Sequence, residues 1–408
     1  MAAKLLQNKV VSREKSIFRP CTRVICAGRI FFCYLDKMGD EMMGLTVRTG
    51  PQEYECRVGV LDALVEKLKA REIHKAILVH GVASWQKAAP YLASLLESEI
   101  EVTLVDFKGE CTYEEVERIA KLTEQLNVDA IIGVGGGKIM DTVKYAAAKS
   151  AGADAVLIPT LASNCAPWTP LSVMYSQDGV CLGFDLHTKQ VGLLVVEPEL
   201  LLDSPVNYFV AGVADTLAKW YESDVILSQP QHQTNAFLLM ARAAAFNCKS
   251  SISLYGQQAV EAIESKTMTT AFIQVCETII SISGLVGGLG DTYARTTIAH
   301  AVHDKITVFP ETHAFLHGEK VAYGILVQLA VEEKWTEIEE LTEFYDGLHL
   351  PKTLEDLGLG KLPNEQLTVF TSEVAADSNL VASKYVVSKE KIQKAIVSLE
   401  EYAAQKIG

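Results

Sequence analysis

A carboxylate and a cluster of imidazoles are the side chains of this sequence best suited to bind a metal ion. Four of the nine histidines fall between positions 300 and 317. Asp215 lies in an apolar stretch, where an unpaired carboxylate would be costly to bury. One carboxylate and two imidazoles suit zinc or ferrous iron and leave a position open for a substrate oxygen. The candidates are Asp215, His300 and His317, although each histidine taken singly is more often structural.

A run of glycines is the second feature with a chemical use. Residues 132–138 read Ile-Gly-Val-Gly-Gly-Gly-Lys, between a predicted strand and a predicted helix. Consecutive glycines let backbone amides approach a pyrophosphate, and the N-terminus of the helix adds a favourable dipole. The spacing matches neither GxGxxG nor a Walker loop, so a tight turn without a ligand is the alternative interpretation.

Strand and helix patterns alternate around that turn. Such alternation predicts a parallel sheet covered by helices on both faces, as in nucleotide-binding domains. The predicted strands are 75–79, 101–107, 128–134, 155–159 and 192–196. The predicted helices are 58–71, 86–97, 113–126 and 139–150, and Thr112 with Glu115 forms a capping-box pattern before the third of them.

The second half of the sequence is helix-patterned almost throughout. After a turn at Leu202-Asp203-Ser204-Pro205, long apolar helices are predicted at 209–228, 234–250, 260–284 and 321–342. The predicted fold is therefore an α/β N-terminal domain with a parallel nucleotide-binding sheet, followed by an all-α C-terminal domain. The predicted boundaries are an extension at 1–43, the α/β domain at 44–203 and the helical, metal-binding domain at 204–408.

Composition and charge exclude several classes of function. The net charge is -14 with a pI of about 5.2, and no basic stripe is present, so a nucleic-acid partner is not expected. The longest uninterrupted apolar runs are too short to cross a bilayer, so no membrane association is expected. Nine cysteines without a CxxC pair predict a reducing, cytoplasmic location.

The N-terminal segment does not share the regular pattern that begins at Gly44. Residues 1–15 are polar, and the apolar piece 30–35 is too short for a secretory signal. We hypothesise that residues 1–42 are a loosely attached extension or the product of a misassigned start codon, since Met42 and Met43 directly precede the regular pattern.

The motifs together resemble those of the glycerol dehydrogenases, within the iron-containing alcohol dehydrogenases. The resemblance runs over roughly 46–400, through the glycine turn, Pro159-Thr160-Leu161-Ala162-Ser163 and Leu171-Ser172-Val173-Met174-Tyr175. It continues through the segments around His300 and His317, including His-Gly-Glu-Lys-Val-Ala-Tyr-Gly. The resemblance implies a dehydroquinate synthase-like fold, a small-molecule substrate and a homo-oligomer.

The resemblance also implies site residues. It assigns Asp215, His300 and His317 to one divalent metal, zinc or iron, and leaves His303 as a neighbouring group, a proton relay or a packed residue. It implies NADPH or NADH as the cofactor. The implied cofactor-binding residues are Gly136, Gly137, Lys138, Asp141, Thr160, Ser163, Thr169, Leu171 and Tyr175.

Two departures from the family pattern bear on specificity. Gly81 stands where members that prefer NAD carry an aspartate on the adenosine ribose, so NADPH should be accepted. Cys165 stands where glycerol dehydrogenases carry an aspartate that contacts the diol. Losing that acid argues against glycerol and admits a carboxylate substrate more easily. Nothing next to Cys165 in the sequence would activate it as a nucleophile, and Arg295 and Lys305 are carboxylate-binding candidates only by their proximity to the histidines.

The runs 165–173 and 215–222 resemble the bacterial hydroxycarboxylate dehydrogenases of this superfamily more than the true glycerol dehydrogenases. That resemblance implies a metal-dependent NAD(P)H oxidoreductase that reduces 2-oxo acids to 2-hydroxy acids. His300, Cys165 and His303 are the predicted catalytic residues, with the metal polarising the carbonyl and solvent supplying the proton. A glycerol or polyol dehydrogenase is the alternative in the same class. The alternatives of another class are a dehydroquinate synthase-like lyase, which would need a basic phosphate pocket, and a non-catalytic nucleotide-binding protein.

Overall fold

The computed structural model describes residues 44–407 and two short strands near the N-terminus. The chain forms two compact units, Met1–Gly44 and Leu45–Gly408. In the first unit, β1 (Val24–Cys26) pairs antiparallel with β2 (Arg29–Phe31). The rest of the predicted extension lies outside the described residues, and so does the hypothesis about its start.

A six-stranded parallel sheet and a separate hairpin open the second unit. The sheet order is β3-β10-β7-β6-β4-β5. The sheet strands are β3 (Glu53–Cys56), β4 (Lys75–His80), β5 (Glu101–Asp106), β6 (Ala130–Gly135), β7 (Asp154–Pro159) and β10 (Leu193–Val196). The hairpin pairs β8 (Leu171–Tyr175) with β9 (Cys181–Leu186). The chain runs from β4 to β5 and then crosses to β6 on the other side of β4, so the winding reverses between β4 and β6.

The central strands are buried on both faces, which explains their uninterrupted apolar sequences. All residues of β6 and β10 are buried, as are the last five of β4 and of β7. The five predicted strands and the parallel sheet are confirmed, with strand ends within two residues of the prediction. The edge strand β3 and the hairpin were not predicted, because β3 is polar and half-exposed and β9 is largely exposed.

Five α-helices accompany the sheet. They are α1 (Leu64–Ala70), α2 (Val82–Ala88), α3 (Ala93–Leu96), α4 (Tyr113–Leu126) and α5 (Gly137–Lys149). Thr112 caps α4 as predicted, since its Oγ1 accepts a hydrogen bond from Glu115 N at 3.1 Å. The single helix predicted at 86–97 is wrong. A 3₁₀ turn that contains Pro90 separates α2 from α3, because proline cannot donate within a continuous helix.

The remainder of the second unit is helical. Its helices are α6 (Pro198–Leu202), α7 (Val206–Leu227), α8 (Ala236–Glu264), α9 (Thr270–Glu277), α10 (Ser283–Gly290), α11 (Ile298–Ile306), α12 (His317–Val331), α13 (Trp335–Leu348), α14 (Asn364–Ala375), α15 (Ser378–Ala382) and α16 (Lys389–Ile407). The predicted start of the first long helix after Pro205 is confirmed by α7.

Two of the long predicted helices are divided in the structure. The predicted helix 260–284 is interrupted after α8, where Lys266 has a positive φ of 52°. The predicted helix 321–342 is interrupted between α12 and α13, where Glu333 has a φ of 59°. The apolar spacing continues across both turns, so periodicity alone could not locate them.

The segment from α9 to α10 contains a π-helical turn, Thr278–Ile282. This segment belongs to Thr270–Ala294, which is long and apolar enough to cross a membrane by length and composition. However, 67% of its most apolar window is buried inside the protein, as in the core helix of a folded domain.

Candidate active site

The three predicted metal ligands meet at one place. Asp215 lies on α7, His300 on α11 and His317 at the first residue of α12. Their ligand atoms all lie within 4.8 Å of one another. Asp215 Oδ1 is 3.2 Å from His300 Nε2 and 3.3 Å from His317 Nε2. A tetrahedral ion at about 2.1 Å from each ligand requires ligand separations of about 3.4 Å, so these atoms fit zinc or iron.

Asp215 brings an unsatisfied oxygen to this point. The residue is 3% exposed, and Oδ1 has no hydrogen-bond partner among the described residues. Burial alone would raise the pKa of Asp215, but the charge of Lys219 and the two imidazoles hold that pKa well below its usual range. A buried anionic oxygen without a partner is the feature that a bound cation would satisfy. His317 is the exposed member of the three, so an ion would reach them from its side.

Glu222 fixes the orientation of His300. Its carboxylate is buried and accepts hydrogen bonds from His300 Nδ1 at 2.6 Å and from the backbone N–H groups of His300 and Thr297. Because Nδ1 donates to Glu222, Nε2 is the nitrogen directed to Asp215. Burial alone would lower the pKa of His300, but Glu222 and Asp215 raise it to about 10. Sequence analysis missed Glu222, although its spacing of seven residues from Asp215 places both on one face of α7.

Glu222→Gln is expected to weaken metal binding roughly 10- to 100-fold. The amide oxygen can accept from the two backbone N–H groups, which directs the amide NH₂ to His300 Nδ1. His300 must then carry its proton on Nε2, where a metal would bind. Zinc titration against a competing chelator measures the effect. Glu337→Gln, which changes the partly exposed partner of Lys249, is the control. Equal zinc affinities in the wild type and both variants would contradict the prediction.

His303 and Asp304 fix the orientation of the His317 ring. His303 Nδ1 lies 2.8 Å from Asp304 Oδ1, and His303 Nε2 lies 2.9 Å from His317 Nδ1. Burial, together with the neighbouring His317, lowers the pKa of His303 to about 3, so its ring is neutral. A neutral ring that donates from Nδ1 to Asp304 must accept at Nε2, which leaves His317 Nε2 free for a metal. His303 is therefore placed to orient a ligand, and Asp304 was missed by sequence analysis.

Two glycines of α12 allow its backbone to pack directly against the backbones of α7 and α11. A Cβ atom added at Gly318 would lie 1.8 Å from the carbonyl oxygen of Ala211 in α7. A Cβ added at Gly324 would lie 2.2 Å from the carbonyl oxygen of Ala299 in α11. Any side chain at these two positions would separate α12 from its neighbours. The convergence of the metal ligands therefore depends on residues that carry no side chain.

The glycine turn lies at the reversal point of the sheet. β6 ends at Gly135, α5 begins at Gly137, and no side chain caps the helix at Gly136. Its first N–H groups are therefore available to an anion. A Cβ added at Gly137 would lie 2.9 Å from the Asn164 amide, so a side chain at this position would require Asn164 to shift. Thr160 N donates to Gly135 O at 2.9 Å, which joins the turn to the loop after β7.

Asp141 and Lys144 form a buried ion pair beneath this turn, at 2.8 Å. Asp141 also accepts a hydrogen bond from Val173 N in β8. Burial raises the pKa of Asp141, and Lys144 opposes that rise. Lys144 Nζ donates to the carbonyl oxygens of Ala166, Thr169 and Leu171. Three of the predicted cofactor-binding residues, Asp141, Thr169 and Leu171, thus belong to one network that holds the hairpin against α5.

The remaining predicted cofactor-binding residues surround the same region. Lys138 is exposed, pairs with Glu110, and lies 5.6 Å from the centre of the Tyr175 ring at the end of β8. Ser163 touches the metal-binding helix, since a Cβ added at Gly212 of α7 would lie 2.9 Å from Ser163 Cα. The loop after β7 therefore contacts both the glycine turn and the helix that carries Asp215.

Cys165 lies in that same loop, half-buried and without a disulfide. It is close enough to Lys219 for a thiolate there to affect the pKa of Lys219. The neighbouring Trp168 is held in place by its Nε1 donating to Thr49 O at 2.8 Å and by Gly284, where a Cβ would lie 2.7 Å from it. The loop that carries Cys165 therefore lies against α7 and is fixed by a packed tryptophan.

Comparisons with known proteins agree with this geometry. The family model described as iron-containing alcohol dehydrogenase matches residues 51–196. The chain is 36% identical over 319 residues to hydroxycarboxylate dehydrogenase A of Escherichia coli K12, covering 77% of this chain and 85% of that protein. It is 34% identical over 285 residues to glycerol dehydrogenase of Thermotoga maritima, covering 69% and 76%. The crystal structure of glycerol dehydrogenase from Schizosaccharomyces pombe superposes with a TM-score of 0.78 at 27% identity, covering 88% and 91%.

Proposed function

The chain belongs to the iron-containing alcohol dehydrogenase family, and we propose that it reduces 2-oxo acids to 2-hydroxy acids with NAD(P)H and a divalent metal. The family relationship makes it an NAD(P)-dependent oxidoreductase that acts on CH–OH groups of small molecules. The convergence of Asp215, His300 and His317 is the single observation that carries the proposal. The nucleotide turn at the carboxyl ends of the parallel strands supports it.

The residues divide the chemical work as follows. A divalent ion held by Asp215, His300 and His317 would polarise the substrate carbonyl, and NAD(P)H with its pyrophosphate at the glycine turn would supply the hydride. Glu222 and His303 keep both imidazoles with Nε2 toward the ion. Both ring nitrogens of His303 already have hydrogen-bond partners, so its proposed role is to orient His317. The proton that completes the alcohol product would come from solvent. His300 remains a metal ligand.

The residue that follows β4, Gly81, bears on the choice between NADPH and NADH. Gly81 carries no acid, and its Cβ position has only ordinary contacts, the nearest being Ser84 Oγ at 3.4 Å. We therefore propose that the protein accepts NADPH as well as NADH. Asp106, at the end of β5, is turned toward His80, with Oδ1 3.9 Å from His80 Nε2. Zinc or iron would serve at the metal site.

Substrate choice follows from Cys165, which removes the acid expected for a glycerol-binding pocket. A relative at 36% identity is named a hydroxycarboxylate dehydrogenase, in agreement with a carboxylate substrate. A relative at 34% identity is named a glycerol dehydrogenase, which keeps polyol oxidation as the second candidate. We further propose a cytoplasmic location and a homo-oligomer.

A substrate panel tests the function directly. Purified enzyme loaded with zinc or Fe(II) is assayed with 2-oxo acids, aldehydes and diols, each with NADPH and NADH. The highest kcat/KM is expected with 2-oxo acids, because an uncharged pocket wall at Cys165 no longer repels a carboxylate. Glycerol oxidation as the dominant activity would overturn the substrate assignment and leave the family intact.

A further inference from the structure

Lys219 is a buried cation on the face of α7 that carries Asp215. Asp215, Lys219 and Glu222 are spaced at i, i+4 and i+7 on α7, so all three lie on one face of that helix. Lys219 is 9% exposed, and none of the hydrogen bonds and ion pairs between residues 44 and 407 involves its ammonium group. A buried charge of this kind normally has a partner, because removing it from water is costly.

The surroundings keep this lysine charged. Burial by itself would lower the pKa of Lys219, but the negative charge of Asp215 raises it above its usual value, with a further contribution from Glu222. The three side chains of α7 and a divalent ion sum to one positive charge. One substrate carboxylate would neutralise that sum.

The two carboxylate-binding candidates from the sequence, Arg295 and Lys305, already have partners. Arg295 pairs with Asp291 at 2.6 Å and lies over the Phe184 ring. Lys305 lies 3.5 Å from Asp377. Both groups are therefore paired, whereas no hydrogen bond or ion pair among the described residues involves the ammonium group of Lys219.

We propose that Lys219 is the residue that binds the carboxylate of the substrate. The inference rests on the proposed 2-oxo acid reduction and identifies how that substrate class is selected. An aspartate at position 165, as in the glycerol dehydrogenase pattern, would pair with Lys219 and neutralise it. Cys165 leaves the ammonium charge available, so residues 165 and 219 together determine whether a carboxylate substrate is accepted.

Lys219→Met tests this with two substrates of the same carbon chain, 2-oxobutyrate and 1-hydroxybutan-2-one. The variant is expected to lose about 100-fold in kcat/KM for 2-oxobutyrate, the cost of removing one buried charge-assisted contact. Its kcat/KM for the uncharged ketone falls less, through the lost support of Lys219 for the charge of Asp215, so the ratio of the two kcat/KM values should drop at least about 30-fold. Cys165→Asp should produce the same selective loss, because the new carboxylate occupies Lys219. Lys305→Met is the matched control and should leave the ratio of the two activities unchanged.

A measurement without turnover accompanies the kinetics. Oxamate is an unreactive carboxylate analogue of 2-oxo acids, and its inhibition constant is measured with the ketone as substrate. This inhibition constant should rise about 100-fold in Lys219→Met. Metal content is measured in every variant. An unchanged activity ratio, or an equal loss on both substrates with loss of metal, would overturn the role of Lys219. Wild-type enzyme that reduces neither substrate would instead overturn the proposed function.

Discussion

Asp215→Asn is expected to abolish metal-dependent turnover, by roughly 1,000-fold or more, while nucleotide binding is retained. The substitution keeps the shape of the side chain but removes the anionic oxygen that lies between His300 Nε2 and His317 Nε2. A neutral amide is a poor ligand for zinc or iron and leaves Lys219 without the charge that balances it. The measurements are kcat with saturating metal, bound metal after dialysis and NADPH affinity by fluorescence titration.

The control for this substitution lies on the same helix. Asp224 also belongs to α7 but pairs with Arg242 at 2.7 Å, away from the ligands. Asp224→Asn should therefore keep its metal and its rate, with at most a small loss of stability from a partly exposed ion pair. If Asp215→Asn turned over at a rate within about tenfold of wild type, Asp215 would not be a metal ligand.

Gly81→Asp is expected to shift the preference between NADPH and NADH by about 100-fold toward NADH. A carboxylate at this position would repel a 2′-phosphate and accept a hydrogen bond from a 2′-hydroxyl. The substitution is sterically acceptable, because Gly81 has an extended backbone, with φ -90° and ψ 162°. Aspartate is also a favoured residue at the start of a helix, here α2. The ratio of kcat/KM values for the two cofactors measures the shift.

Gly81→Asn separates charge from size in this experiment. Asparagine caps a helix and fills the same volume, but it carries no charge. It should therefore leave the cofactor ratio near that of the wild type. A wild-type preference for NADH that disappears in Asp106→Asn would transfer ribose recognition to β5 and refute the role assigned to Gly81.

Local sequence patterns were sufficient for several parts of the fold. The apolar runs of β4, β6 and β7 predict buried parallel strands because both faces of such strands are covered. Thr112 predicts the start of α4 because its side chain satisfies a helix N–H group. The three side chains that converge at the candidate metal site were predicted from donor chemistry together with the family resemblance. Each of these signals depends on a residue and its near neighbours in the chain.

Other features depend on contacts between distant segments. Periodicity placed one helix at 321–342, whereas Glu333 ends α12 with a left-handed turn before α13. The unpredicted hairpin is held by Lys144, whose ammonium group bonds carbonyls far along the chain. The end of α12 and the position of the hairpin therefore depend on tertiary contacts, which a local sequence pattern does not encode.

The sequence alone determined the chemical types at the site, because a carboxylate, two imidazoles and a glycine turn have a fixed chemistry wherever they lie. Only the tertiary structure decided their geometry and their supporting residues. Gly318 and Gly324 bring α12 against α7 and α11, and Glu222 and Asp304 set the ring orientations of the histidines. The physical reason is that backbone approach and imidazole orientation depend on atoms from segments up to about a hundred residues apart, which meet only when the chain is folded.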